Sequence, residues 1–287
     1  MNATRRNAVP PAMVCFGSRL KLFLTCVAVL VFSPATHAAD PLTAEVLKRF
    51  PAPEAHQGVA VDAEHFYAIT NRAIGKYDKR TGRKVALWQQ EETRPLVHLN
   101  SGVVHQGKLY CAHSNYPRQP STSSIEIWDT ASMRHIDSHS FGIYEGSCTW
   151  VIQQGEAWWV AFAHYNDKNN DQDTTNRKTS LVKFDHRWRR LAAWVFPDEL
   201  MDRLRPYSCS GGDWGTDGLL YITGHDTPEL FVLRLPKAGS TLDLIATING
   251  TTPGQGIAWD HDEDRILFGI DRDRGEVVRM RIPMIEQ

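Results

Sequence analysis

Residues 45–62 read EVLKRFPAPEAHQGVAVD, and the end of this stretch recurs late in the chain as GQGIAWD (254–260). In the first copy Phe50 lies seven residues before Gln57, and in the second copy Ile248 lies seven residues before Gln255. A glycine and a short apolar strand pattern ending in aspartate follow each glutamine. The chain therefore contains a repeat. Residues 45–50 are equivalent to the strand that precedes the glutamine in the second copy.

Five copies of this unit align along the chain. Each has an inner strand, a second strand after a turn and an aromatic third strand, and four of the copies are followed by a fourth strand. The inner strands lie in HQGVAVD (56–62), LNSGVVHQG (99–107), GSCTWVIQQG (146–155), CSGGDWGTDG (209–218) and GQGIAWD (254–260). The spacings from Gly58 to Gly102 and from Gly212 to Gly256 are both 44 residues, within the period of about 40–45 typical of four-stranded propeller blades.

We therefore predict an all-β fold, a five-bladed β-propeller closed by the N-terminal strand. The fifth unit ends soon after MRIP (280–283) and lacks a fourth strand, which residues 45–50 would supply. Closure of this kind removes open sheet edges, which otherwise invite aggregation. Six blades with one degenerate unit, or a pair of β-sandwiches, are the alternatives.

The N-terminal residues have the layout of a secretory signal peptide. Four basic residues within the first 21 positions precede an uncharged apolar run of 11 residues at 22–32, followed by a proline and small residues. The run is shorter than the roughly 20 residues that span a membrane. We predict a signal peptide over 1–39, cleaved near Ala38 or Ala39. The product would be periplasmic or secreted, without a stable membrane anchor, with a single propeller domain over 40–287.

The charge of the predicted mature chain argues against a nucleic-acid partner. Residues 40–287 carry 28 basic and 33 acidic side chains, a balance of −5. A nucleic-acid binder needs a basic surface to displace counterions from phosphate.

Three cysteines remain in that chain, Cys111, Cys148 and Cys209, and none has CxxC spacing. Export would permit a disulfide, and a Cys148–Cys209 bridge is the alternative to test. Because each cysteine lies in an apolar strand pattern, we predict buried free thiols.

Propeller topology places the loops that enter the inner strands and the loops that leave the second strands on one face. Polar side chains concentrate in these loops, whereas the turns of the opposite face carry ordinary glycine and aspartate turn patterns. Five histidines belong to the polar set: His56, His98, His113, His164 and His225. The sequence therefore predicts a site at one mouth of the central channel.

Imidazole titrates near neutral pH and is the commonest metal ligand in proteins. His113, His164 and His225 end the second strands of three successive units, and we predict them as catalytic residues and as ligands of a divalent metal ion. The predicted substrate-binding residues on the same face are His56, Gln57, His98, Asn100, Tyr207, Gln255 and Arg272. The alternative is that each histidine solves the same packing problem in its own copy of the repeat by bonding the backbone of a neighbouring blade.

Other sequence features favour structural roles over metal binding or catalysis. Residues 167–173 (DKNNDQD) resemble the opening of a calcium loop, but the central glycine is absent and position twelve is Lys178, so a solvated acidic insert is favoured. The tryptophans fall mostly within strands and are predicted to pack between blades. Cys209 could serve as a nucleophile, but no local base is identifiable, and a buried small residue is the favoured interpretation.

The stretches HQGVAVD (56–62) and IGKYDKRTG (74–82) resemble the blades of NHL-type and streptogramin-lyase-like propellers, in which V-x-D in the inner strand and IG-x-[FYI]-D in the third strand recur. The resemblance implies the fold. The catalytic pattern of the lyase has no residue-by-residue counterpart here, so the resemblance is compatible with a metal-assisted lyase or isomerase without assigning its residues.

These observations predict an exported enzyme, a metal-assisted lyase, isomerase or hydrolase acting on a small polar substrate such as a sugar acid, lactone or glycoside. The alternative is a non-catalytic propeller that binds carbohydrate or protein. The loops differ greatly between blades, which favours one composite site over five equivalent pockets.

Overall fold

The computed structural model describes residues 41–91, 96–166 and 175–286. The predicted signal peptide and the calcium-like stretch at 167–173 lie outside these ranges. Within them, no helix has both the length and the apolar character needed to cross a membrane.

The regular secondary structure of the described chain is almost entirely β-strand. A 3-10 helix spans Thr175–Lys178 and helix α1 spans Asp198–Arg203. The strands are β1 (Glu45–Pro51), β2 (Gly58–Val61), β3 (His65–Ile69), β4 (Ala73–Asp78), β5 (Lys84–Gln89), β6 (His98–His105), β7 (Lys108–Ser114), β8 (Ser123–Asp129), β9 (Arg134–Gly142), β10 (Ser147–Gln154), β11 (Ala157–Ala163), β12 (Ser180–Phe184), β13 (Arg190–Val195), β14 (Gly211–Trp214), β15 (Leu220–Thr223), β16 (Glu229–Arg234), β17 (Asp243–Asn249), β18 (Ala258–Trp259), β19 (Ile266–Asp271) and β20 (Glu276–Arg281).

These strands form five four-stranded antiparallel sheets arranged in a ring. Blades 1 to 4 are β2–β5, β6–β9, β10–β13 and β14–β17, each in sequence order from the inner strand outwards. Blade 5 is ordered β18-β19-β20-β1. The prediction of a five-bladed β-propeller is confirmed, and the six-bladed and β-sandwich alternatives are wrong.

The N-terminal strand completes the last blade, as its place in the repeat predicts. Strand β1 pairs antiparallel with β20, with Glu45 opposite Arg281 and Phe50 opposite Val277. The contact continues into blade 4, where the Ala44 amide donates to the Asn249 carbonyl at 2.9 Å. Because the first and last strands share one sheet, the chain ends are joined through backbone hydrogen bonds.

The apolar core is divided among the spaces between neighbouring blades. Trp150 of blade 3 packs with Trp214 and Phe231 of blade 4, and Tyr67 of blade 1 packs with Trp128 of blade 2. Most of the tryptophans are buried in such layers, which agrees with the packing role predicted for them.

The three cysteines are buried and free, as predicted, so the Cys148–Cys209 bridge does not form. Cys209 accepts a hydrogen bond from the Trp150 indole at 3.0 Å. Burial raises the pKa of the Cys209 thiol to about 12, which opposes a role as a nucleophile.

Glycine allows the inner strands to approach one another around the axis. A Cβ atom on Gly256 would lie 2.6 Å from the Gly58 Cα, and one on Gly58 would lie 2.7 Å from the Ser101 Cα. Both separations are far below van der Waals contact, so only glycine fits at these two positions.

The turns of the opposite face use the chemistry that their sequences predict. Asp62 accepts backbone hydrogen bonds from Glu64 and His65, and its second oxygen accepts the Tyr67 hydroxyl at 2.6 Å. Asp217 of blade 4 accepts the Tyr221 hydroxyl in the same way, at 2.6 Å. These aspartates cap turns.

Removing the Phe50 side chain should weaken the closure of the propeller by strand β1. Phe50 is 2% exposed and its ring centroid lies 5.1 Å from that of Phe66 in blade 1. We expect Phe50→Ala to lower the free energy of unfolding by about 3–5 kcal/mol in urea titrations. Val46→Ala, in the same strand but 43% exposed, is the control and should cost well under about 1 kcal/mol. Equal losses in the two variants would contradict a role for this packing in closure.

Candidate functional site

A cavity of about 490 Å³ opens on the face formed by the loops that enter the inner strands and leave the second strands. Its volume falls within the roughly 300–1,000 Å³ of typical small-molecule sites. The lining residues are Gln57, Asn71, Arg72, Val97, His98, Asn100, Tyr116, Pro117, Arg118, Thr149, Tyr165, Tyr207, Ser210, His225 and Gln255. All five blades contribute, so the cavity is one composite site.

Six of the ten predicted site residues line this cavity, and four do not. The six are Gln57, His98, Asn100, Tyr207, His225 and Gln255. The other four, His56, His113, His164 and Arg272, lie outside its lining.

His113 is held by hydrogen bonds at both ring nitrogens. Its Nε2 accepts the Val97 amide at 3.1 Å, so Nδ1 carries the proton and faces the Ser124 hydroxyl at 2.9 Å. Ser124 in turn donates to Glu126 at 2.6 Å, and His135 contacts the same carboxylate at 2.8 Å. This buried chain anchors the backbone just before His98 in the same blade, whereas the alternative interpretation has the histidine bond the backbone of a neighbouring blade.

The other three residues outside the lining have different surroundings. The His164 amide donates to Thr179 Oγ1 at 3.0 Å, and burial lowers the pKa of the His164 imidazole. His56 is exposed. Arg272 forms an ion pair with Asp226, the residue that follows His225 in the chain.

The surroundings of His98 in the lining strongly lower its pKa. Burial, together with the nearby His113 and His225 rings, lowers the pKa of His98 to about 4. Its ring packs against Tyr116 with centroids 5.3 Å apart. The imidazole is therefore neutral at physiological pH and can both donate and accept a hydrogen bond.

His225 is fixed in place in the loop that follows β15 of blade 4. It stacks on Tyr207 with centroids 3.8 Å apart and an interplanar angle of 14°. Its Nδ1 lies 2.8 Å from an Asp226 carboxylate oxygen, and its carbonyl accepts the Gln255 side-chain amide at 2.9 Å. The stacking on Tyr207 sets the orientation of the ring, and a carboxylate at this distance can pair electrostatically with an imidazolium.

Irregular inner strands turn two polar side chains towards the cavity floor. In blade 2 the pairing with β7 skips from Leu99 to Gly102, and in blade 3 the pairing with β11 skips from Cys148 to Trp150. Asn100 and Thr149 therefore lie at bulges, which re-aim side chains. Asn100 donates to the Cys148 carbonyl at 3.0 Å, which ties the two bulges together.

The Thr149 hydroxyl is buried and has no hydrogen-bond partner among the residues that the structure describes. Sequence reasoning missed this residue because a bulge changes which side chain of a strand faces the axis, and periodicity does not reveal it. It also missed Tyr116 and Arg118, although both follow a second strand and belong to the loop class that defines the face. Tyr116 and Tyr165 are in contact, with centroids 5.1 Å apart.

The described residues contain no group of three or more His, Cys, Asp or Glu side chains placed to hold a metal ion. His113 would have to release a hydrogen bond to act as a ligand, and neither His113 nor His164 lines the cavity. The metal centre formed by His113, His164 and His225 stays a prediction.

No protein-family model matches the chain, and none of the curated proteins matches it. Among solved structures, the chain is similar to the PQQ-bound aldose sugar dehydrogenase of Streptomyces coelicolor, with 12% identity, a TM-score of 0.51 and coverage of 85% of this chain and 82% of that chain. It is also similar to Kuenenia stuttgartiensis hydrazine synthase, with 14% identity, a TM-score of 0.46 and coverage of 79% and 71%. At 12% identity the likeness to the dehydrogenase shows the β-propeller fold alone, and a specific relationship to NHL-type propellers stays a prediction.

The low pKa of His98 can be measured directly. We expect its imidazole to titrate near pH 4 in histidine-selective NMR, and near its ordinary value of about 6.5 in the urea-unfolded protein. Because the unfolded chain binds the proton more tightly, the stability contributed above about pH 6.5 is lost as the pH falls towards 4.

In stability terms, His98 should account for about 2 kcal/mol of the loss between pH 7 and pH 5. His98→Asn should lose correspondingly less stability over that interval in urea titrations. A native pKa of 6 or above would contradict the desolvated environment described for this ring.

Proposed function

We propose that this chain is an exported enzyme that acts on a small polar molecule in the channel-mouth cavity, as a lyase, isomerase or hydrolase. The substrates that fit the proposal are a sugar acid, a lactone or a glycoside. The observation that supports it most is the His225–Asp226 pair, because it joins an oriented imidazole to a cavity of substrate size.

Two imidazoles of unlike character line the cavity, which suits proton transfer. His225, beside the Asp226 carboxylate, can take a proton from the substrate or from water and hold it as an imidazolium. His98 is neutral, so it can bond a substrate hydroxyl or carbonyl without adding a positive charge.

The aromatic faces of the lining suit a sugar-like substrate. Tyr207 is stacked on His225, and Tyr116 lies between His98 and Tyr165. Flat aromatic surfaces pack against the apolar face of a sugar ring, while the polar floor at Asn100 and Thr149 can bond its hydroxyl groups.

No step of this proposal passes through a metal, because both ring nitrogens of His113 are hydrogen-bonded and neither His113 nor His164 lines the cavity. The metal-assisted version is a competing hypothesis. Metal analysis of the purified protein tests it, with His164→Ala and His225→Ala as variants. A stoichiometric metal that both variants lose would favour the metal-assisted version over ours.

The second candidate function is a non-catalytic propeller that binds a carbohydrate or a protein through the same face. The composite cavity favours a single small ligand, as a periplasmic carbohydrate-binding protein would have. The sugar dehydrogenase of similar fold contributes nothing to the choice, since its likeness extends to the fold alone.

His225→Ala should remove turnover without unfolding the protein. Mass spectrometry of reactions with panels of sugar acids, lactones and glycosides would identify a substrate, and the variant should then lose about 10²–10⁴-fold in kcat. His56→Ala is the matched control, because His56 is an exposed imidazole on the same face outside the lining, and it should keep kcat within about twofold.

A ligand that binds in this cavity without being converted would instead support the carbohydrate-binding function. The export part of the proposal has its own test. The protein recovered from a periplasmic fraction should begin at Ala39 or Asp40 when its N-terminus is sequenced, and an uncleaved, membrane-associated chain would contradict it.

A further inference from the structure

We propose that the ligand of this cavity is an anion, with a carboxylate or phosphate head group bound by Arg72 and Arg118 and a hydroxylated body that reaches the Thr149 hydroxyl. This inference rests on the proposed function, since it names the substrate class of the same cavity. It excludes the neutral lactones and glycosides that the proposed function admits.

The charge of the lining is one-sided. Arg72, Arg118, His98 and His225 are its ionisable basic groups, and within the described ranges no aspartate or glutamate lines the cavity. A concave site lined by one sign of charge and bounded by the low-dielectric protein concentrates its field and attracts the opposite charge.

Carboxylates near the cavity are already paired with other arginines. Asp226, beside His225, is bound by Arg272. Glu145, in the loop before β10, lies 3.3 Å from Arg190. Neither carboxylate forms an ion pair with Arg72 or Arg118.

Arg72 and Arg118 differ from these arginines in having no carboxylate within ion-pair distance in the part of the chain that the structure describes. Both are exposed, so water solvates their guanidinium groups until an anion arrives. The planar guanidinium group presents paired N–H donors that match carboxylate and phosphate oxygens.

The two arginines come from equivalent loops of neighbouring blades. Arg72 lies between β3 and β4 of blade 1, and Arg118 lies between β7 and β8 of blade 2. Because each loop is anchored by its own sheet, the two arginines line the cavity independently of one another.

Thr149 supplies an independent indication of a hydroxylated ligand. Its side chain is 3% exposed, and its hydroxyl lacks a protein partner among the described residues while lining the cavity. A buried hydroxyl without a partner is costly, and a polar atom of a bound ligand would satisfy it. The head group and the body of the ligand are thus recognised by different residues.

The test uses the mature protein and isothermal titration calorimetry with four compounds. The anion glucuronate is compared with its neutral methyl ester. The anion glucose 6-phosphate is compared with neutral glucose. We expect at least one anion to bind about tenfold or more tightly than its neutral counterpart, with an affinity that falls as salt is added. The tighter of the two anions identifies the head group as carboxylate or phosphate.

Two kinds of variant separate head-group recognition from body recognition. Arg72→Gln and Arg118→Gln should each weaken anion binding by about tenfold and leave the neutral compounds unchanged. Thr149→Val should weaken anionic and neutral compounds alike, by about fivefold, without loss of stability. Arg83→Gln, an exposed arginine in the β4–β5 turn of the opposite face, is the matched control and should bind as the parent does.

The possible results separate a failure of the anion inference from a failure of the proposed function. If neutral compounds bind as tightly as anions, or if both arginine variants keep the parent affinity for anions, the anion inference is overturned and the proposed function survives. If none of the four compounds binds to the folded protein, both are overturned for sugar-like substrates.

Discussion

The pairing of β1 with β20 is the contact on which the rest of the molecule depends. It joins the first and last strands of the described chain in one sheet and closes the ring where blade 5 meets blade 1. A closed ring directs every inner strand at a common axis, so loops that are distant in sequence are brought to one opening. Without this closure, Gln57 and Gln255, about two hundred residues apart, would not share a cavity.

The glycines near the axis and the bulges of the inner strands have complementary effects on the cavity. Gly58 and Gly256 allow the inner strands to come together, which makes the centre of the ring tight. The bulges at Asn100 and Thr149 then break the strict alternation of side chains and place polar groups where apolar ones would otherwise lie. The cavity is therefore bounded by a packed ring and has a polar floor.

The three histidines at the ends of successive second strands show how far a repeat can be interpreted. His113 is saturated by Val97 and Ser124, His164 lies outside the cavity lining, and His225 faces the cavity against Tyr207. Their positions in the repeat are equivalent, but the loops packed around them are not. The position of a residue in the repeat determines the face of the propeller on which it lies. The neighbouring loops determine what its side chain can bind.

Sequence alone predicted five blades, the strand that closes the ring and the polar face, and the structure removed the six-bladed alternative. These features follow from periodicity, turn residues and matched spacing, which are local properties of the chain. The tertiary structure alone decided which histidines meet a cavity, that Thr149 and Arg118 belong to it, and that His98 has a depressed pKa. These depend on bulges, loop packing and desolvation, which arise only when distant segments come together in the folded ring.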